Sequence, residues 1–93
     1  MPRNYVEALK WLGKAANQGL ADAQEDLGFM YLRGQGVQQD NALAAKWFRL
    51  AADQGARIAT SKLGVMYAMG LGVPQDYTEA VKLLRKAAQR GDL

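Results

Sequence analysis

Residues 21–55 read ADAQEDLGFMYLRGQGVQQDNALAAKWFRLAADQG, and most of that pattern returns thirty-six positions away. Segment 4–39 aligns without a gap on 40–75, with sixteen identities in thirty-six positions, and 76–93 aligns on the first half of each. Ala8, Lys10, Trp11, Ala15, Ala16, Gln18 and Gly19 return as Ala44, Lys46, Trp47, Ala51, Ala52, Gln54 and Gly55. Leu27, Gly28, Met30, Tyr31, Gly34, Gly36 and Val37 return as Leu63, Gly64, Met66, Tyr67, Gly70, Gly72 and Val73. The partial third copy keeps Ala80, Lys82, Ala87, Ala88 and Gly91. Chance does not produce this agreement, so residues 1–93 form one tandem-repeat domain: two repeats and a half.

Each repeat carries two helical patterns. The first type runs over 21–33 and again over 57–69. The second starts near Asn4, Asp40 and Asp76 and stops before a glycine, predicting helices over 4–18, 40–54 and 76–90. Asn4 with Glu7, and Asp76 with Glu79, have capping-box spacing, in which a side-chain oxygen satisfies amides left free at a helix start. Gly19, Gly34, Gly55 and Gly70 supply the left-handed conformation that ends a helix. The expectation is five helices, no strand, and an all-α stack of antiparallel helix hairpins touching mainly their neighbours. On a helical wheel Ala23, Leu27, Met30, Tyr31 and Gly34 share one arc, and Ala8, Trp11, Leu12 and Ala15 share another. Trp11 and Trp47 therefore read as seam residues. Gly28 and Gly64 sit in mid-helix, where glycine costs about 1 kcal/mol against alanine, and imply a close helix crossing.

With these residues in view, the chain resembles the Sel-one-like repeat family, relatives of the tetratricopeptide repeat. The resemblance rests on Leu27-Gly28-x-x-Tyr31, on Gly34-x-Gly36-Val37, and on Trp47 followed by Ala51-Ala52-x-x-Gly55. Departures are modest: Gln38 where the next copy has Pro74, Leu83 in place of tryptophan, and Arg57-Ile58 opening the second first-type helix. The resemblance implies a right-handed α/α superhelix, a solenoid that scaffolds protein–protein contacts in bacterial signalling, envelope or secretion settings. Some relatives are stapled by disulfides, which a chain without cysteine cannot be.

Composition removes other chemistries. The 93 residues contain no histidine and no cysteine, so neither a Cys/His zinc site nor a His-assisted nucleophile can be built. Thr60, Ser61 and Thr78 are the only hydroxyl residues of their kind. Asp40 and Asp76 read as caps, and Asp22, Glu25 and Asp26 as an exposed acidic face, leaving no carboxylate pair for catalysis. The reading is not an enzyme and needs no cofactor or metal. The loops at Gly34 and Gly70 lack the third glycine and Lys-Ser/Thr of a phosphate loop. Arg90-Gly91-Asp92 spells an adhesion tripeptide, yet Gly91 is simply the third copy of Gly19. A net charge of +3 spread over five helices is a solvated surface more than a nucleic-acid track. Lys82, Arg85, Lys86 and Arg90 follow Asp76 and Glu79 in the order that suits the helix dipole. No apolar run is long enough for a signal peptide or a membrane span. The chain as it stands reads as cytoplasmic, or periplasmic if cut from a longer protein.

The expected function is a protein or peptide interaction module, with no nucleic acid and no membrane. The alternative is a small bacterial inhibitor or immunity-type protein occluding one effector. The residues that change between copies lie on one arc of the first-type helix: Asp22, Glu25, Asp26, Phe29 and Arg33, then Ile58, Ser61, Lys62, Val65 and Met69. A solvated face has little reason to hold Phe29, Ile58, Val65 and Met69. In the family this helix lines the concave surface, so the resemblance makes the arc a partner groove with Phe29 as anchor. The acids favour a partner with a basic residue beside an apolar one. Self-association through the uncapped terminal helices, by Tyr5, Leu9, Leu83 and Leu84, is a further expectation.

Overall fold

A computed structural model describes residues 4–91. Asp92 of the tripeptide and the outermost residues of the tandem domain lie outside them. The five helices are α1 (Tyr5–Asn17), α2 (Ala21–Arg33), α3 (Asn41–Asp53), α4 (Arg57–Met69) and α5 (Tyr77–Gly91), with no strand among the described residues. Each packs chiefly on its neighbours in sequence, in the order α1, α2, α3, α4, α5.

The ends of the helices are where the repeat signals put them. The Asn4, Asp40 and Asp76 side chains accept from the amides of Glu7 (3.1 Å), Leu43 (3.0 Å) and Glu79 (3.0 Å). Gly34 and Gly70 close α2 and α4 in the left-handed region, with φ 70° and 69°. Each following loop is tied back twice. The Asp40 and Asp76 amides donate to the carbonyls of Tyr31 and Tyr67 at 2.9 Å. The Gln39 and Gln75 carboxamides donate to the carbonyls of Leu32 and Ala68.

The core runs along the row of helices. Leu27, Met30, Ala16 and Ala23 form its first part, and Phe48, Leu63, Met66 and Leu83 with five buried alanines form the second. Phe48 is fully enclosed, and burying a side chain of its size contributes about 1.5–3 kcal/mol. The close crossing is also present. A methyl group on Gly28 would lie 2.6–2.9 Å from the Phe48 ring, and one on Gly64 would lie 2.9 Å from Leu84. Leu84 is the copy of Phe48, so one contact is made twice.

The seam reading fails at Trp11. Trp47 is half-buried against Ala16, Ala23, Leu27 and Met30 of the preceding hairpin, as expected. Trp11 is 62% exposed, because no described helix pair lies on the matching side of α1, and Lys14 sits 5.5 Å above its ring instead. The packed face of α1 is made by Leu9, Leu12, Ala15 and Ala16. Of the apolar side chains expected to be free at the two ends, Tyr5 and Leu84 are exposed and the other two are not. Leu83 is buried and Leu9 is packed on the core, whereas Val6, Trp11, Tyr77 and Val81 are more than half exposed.

Candidate functional site

The variable arc does not form one surface. Phe29 and Arg33 from α2 meet Ile58, Ser61, Lys62 and Val65 from α4 along a groove of about 570 Å³. Arg57 closes one end of it, and Leu84, Ala87 and Ala88 of α5 form its far wall. Asp22 and Asp26 line a different depression with Leu12, Leu20 and Ala21. Glu25 and Met69 line neither. Met69 is 62% exposed, a lone apolar side chain on the last turn of α4.

Phe29 is the hinge of the groove's chemistry. Its ring meets Phe48 edge-on at 5.0 Å between centroids, 80° from coplanar, so it is half core. The Arg33 guanidinium stands 4.7 Å from its centroid and the Lys62 ammonium 5.7 Å, both inside the roughly 6 Å reach of a cation–π contact. Ile58 is 51% exposed and Val65 38% exposed beside them, two partly open apolar side chains. Arg33, Arg57 and Lys62 are all basic, and among the described residues no acidic side chain lines the groove. The arrangement therefore inverts the charge that the acids of α2 implied.

Of those acids, Glu25 meets the start of α4. Burial pushes the Glu25 carboxyl above its ordinary range, against the Ala59 amide at the start of α4, which holds it down; Asp26 and Asp22 add repulsion. Partial burial, and after it the charge of Asp22, raise Asp26 likewise. Two polar networks were hidden from a single-sequence reading. Gln24 is buried and donates to the Ala16 carbonyl at 3.1 Å, while the Gln54 carboxamide reaches Gln24 at 2.9 Å and the Gly19 carbonyl at 2.7 Å. Arg49 of α3 bonds the Tyr67 hydroxyl at 3.1 Å and pairs with Glu79 of α5 at 3.4 Å, fastening three helices. Gln54 keeps its place in two copies and gave a weak signal. Gln24 becomes Thr60 in the other copy and gave none, and Arg49, kept as Arg85 but replaced by Gly13, was not singled out.

A second depression, about 720 Å³, lies on the outer face of α5 between Tyr77, Val81, Arg85 and Gln89. Its residues are the copies of Asn41, Ala45, Arg49 and Asp53 on α3. Ala45 is buried where Val81 is 52% exposed, and Arg49 reaches across to α4. On α3 the matching face receives α4, the next first-type helix in the row. Among the described residues no group of three or more acidic side chains is placed to hold a metal ion. No helix is long and apolar enough to cross a membrane.

The family model described as Sel1 repeat matches residues 1–20, 21–55 and 58–92, the first unit covering α1 and the other two each a first-type helix with the second-type helix after it. Among solved structures, a protective antigen of uropathogenic Escherichia coli strains displaying an SLR fold is similar over 99% of this chain, with 44% identity and a TM-score of 0.94. A Sel1 repeat protein from Oxalobacter formigenes is similar over 94%, with 46% identity and a TM-score of 0.91. Cysteine rich protein B of Helicobacter pylori is similar over 97%, with 27% identity and a TM-score of 0.91. A fungal protein, chitin synthase regulatory factor 3 of Schizosaccharomyces pombe, is 50% identical over 44 residues, or 47% of this chain. The chain spans 20% and 25% of the first two structures, 68% of the third and 5% of the fungal protein.

Proposed function

Because this chain belongs to the Sel1 repeat family, whose members are generally non-enzymatic protein-interaction scaffolds, we propose that it is an interaction module holding a protein or peptide partner in the groove between α2 and α4, on the concave side of the helix row. One observation carries this reading: Ile58 and Val65 stand exposed beside a half-buried Phe29, in a groove that the described residues leave open. An apolar strip of this kind rimmed by charges is what an interface core looks like before its partner arrives. Asp22, Glu25, Asp26 and Met69 flank the groove and set its borders. The outer faces of α1 and α5 serve stacking between copies or repeats, with Trp11, Tyr77 and Val81 as the contact residues. The fungal relative is named as a regulatory factor, a role that binding supports without catalysis.

The test separates binding from stability. The immobilised chain is used to capture partners from an extract of the source organism, alongside an Ile58→Ser/Val65→Ser variant and a Trp11→Ser/Val81→Ser variant. All six bound fractions and melting temperatures are compared. The groove variant loses capture while melting within a few degrees of the parent, since exposed substitutions usually shift stability by about 0.5 kcal/mol or less. The outer-face variant keeps capture. Capture that survives the groove substitutions removes the site assignment.

A further inference from the structure

We infer that the occupant of this groove is an acidic peptide segment, with a carboxylate side chain next to an apolar one. This rests on the groove being the partner surface and adds the chemical class of what fills it. Arg33 and Lys62 approach the same phenyl ring, and Arg57 stands at the groove's end on the first turn of α4. Among the described residues none of the three makes an ion pair with a carboxylate. Like charges gathered over one ring repel, and a carboxylate set between them relieves that repulsion while forming charge-assisted hydrogen bonds. Glu25 takes the Ala59 amide at the start of α4, so recognition rests on the three side-chain cations and not on the helix end.

The apolar half of the occupant follows from the walls. Ile58, Val65 and Leu84 border the cationic spot, so a side chain adjacent to the bound carboxylate is removed from water against them. A basic partner would set its charge against three cations, which is how a surface of one sign rejects the wrong sequence. A phosphate backbone fits less well. A polyanion running past Phe29 along α2 meets Asp22, Glu25 and Asp26, and the only lining aromatic already carries cations on it rather than an open face for a base.

The experiment is fluorescence anisotropy on the whole chain with four labelled probes. These are an octapeptide alternating Glu with Leu, the same peptide with Lys for each Glu, one with Ser for each Leu, and an eight-nucleotide single-stranded DNA. The Glu–Leu peptide is expected to bind most tightly, with affinity falling as salt rises. Lys62→Glu weakens it on the order of tenfold or more, the effect of reversing one charge in a partly desolvated site. Lys46→Glu, exposed on α3 outside the groove, leaves it unchanged. Circular dichroism checks each variant. Should Lys62→Glu lose helicity, Arg57→Glu at an exposed position takes its place. Preference for the Lys–Leu peptide, equal binding of the DNA, equal losses in Lys46→Glu and Lys62→Glu, or no binding by any probe each overturns the acidic assignment. If capture is lost in Ile58→Ser/Val65→Ser but the Glu–Leu peptide fails, the groove stands and only its chemical class falls. If capture survives those substitutions, both fall.

Discussion

Gly28→Leu abolishes the cooperative melting transition, and Gly28→Ala melts clearly below the parent, while Gly64→Ala melts close to it. The three outcomes follow from what a methyl group meets. At Gly28 it would lie 2.6, 2.7 and 2.9 Å from three carbons of the Phe48 ring. That ring is fully buried and braced by the edge contact with Phe29, so it has no room to turn away. Overpacking of this kind costs about 1–3 kcal/mol, and the gain in helix propensity of about 1 kcal/mol offsets only part of it. The isobutyl group of leucine extends further into the same ring. At Gly64 the first obstacle is Leu84, which is 38% exposed and can swing toward solvent, so propensity and crowding nearly cancel. Urea unfolding of the two alanine variants and the leucine variant reads the difference. Parent-like midpoints at Gly28 would remove the close crossing from the fold.

The second large effect is at the loop between α4 and α5. Gly72→Ala should cost about 3 kcal/mol, combining left-handed strain with overpacking. Gly72 has φ 71°, and its added methyl would overlap the Asn41 carbonyl and lie 2.8 Å from the Ala42 amide nitrogen. These are backbone atoms in the first turn of α3, so relief requires the loop to lift from the helix. Gly36 repeats the arrangement against Tyr5, with φ 78° and a methyl 2.5 Å from the Tyr5 Cβ. Tyr5 is the first residue of α1 and partly exposed, so it can fray, and Gly36→Ala is the milder change. The midpoint of urea unfolding gives the order: Gly72→Ala lowest, then Gly36→Ala, then the parent.

The fold was legible because its determinants repeat at one spacing. Asn4, Asp40 and Asp76 cap as read, α2 and α4 have the predicted ends, and Gly28 and Gly64 mark the crossing twice. What could not be read depends on which helix lies beside which. Trp11 and Trp47 have the same local sequence, but only Trp47 has a hairpin beneath it. Gln24 is buried by a partner thirty residues away, and its counterpart Thr60 turns to the Ala56 carbonyl instead. The variable arc lies on α2 and α4, the two first-type helices. Its division into a cationic groove and an acidic depression arises because Phe29 and Arg33 face α4 and α5 while Asp22 and Asp26 lie beside Leu12 of α1, which a wheel drawn for one helix does not contain.

The partner groove is tested most directly by amide chemical shifts of the nitrogen-15-labelled chain as the Glu–Leu octapeptide is added. The largest shifts are expected at Arg33, Ile58, Ser61, Lys62 and Val65, with Leu84 across the groove. Shifts gathered instead at Val6 and Trp11, or at Tyr77 and Val81, would place binding on the stacking faces and contradict the groove.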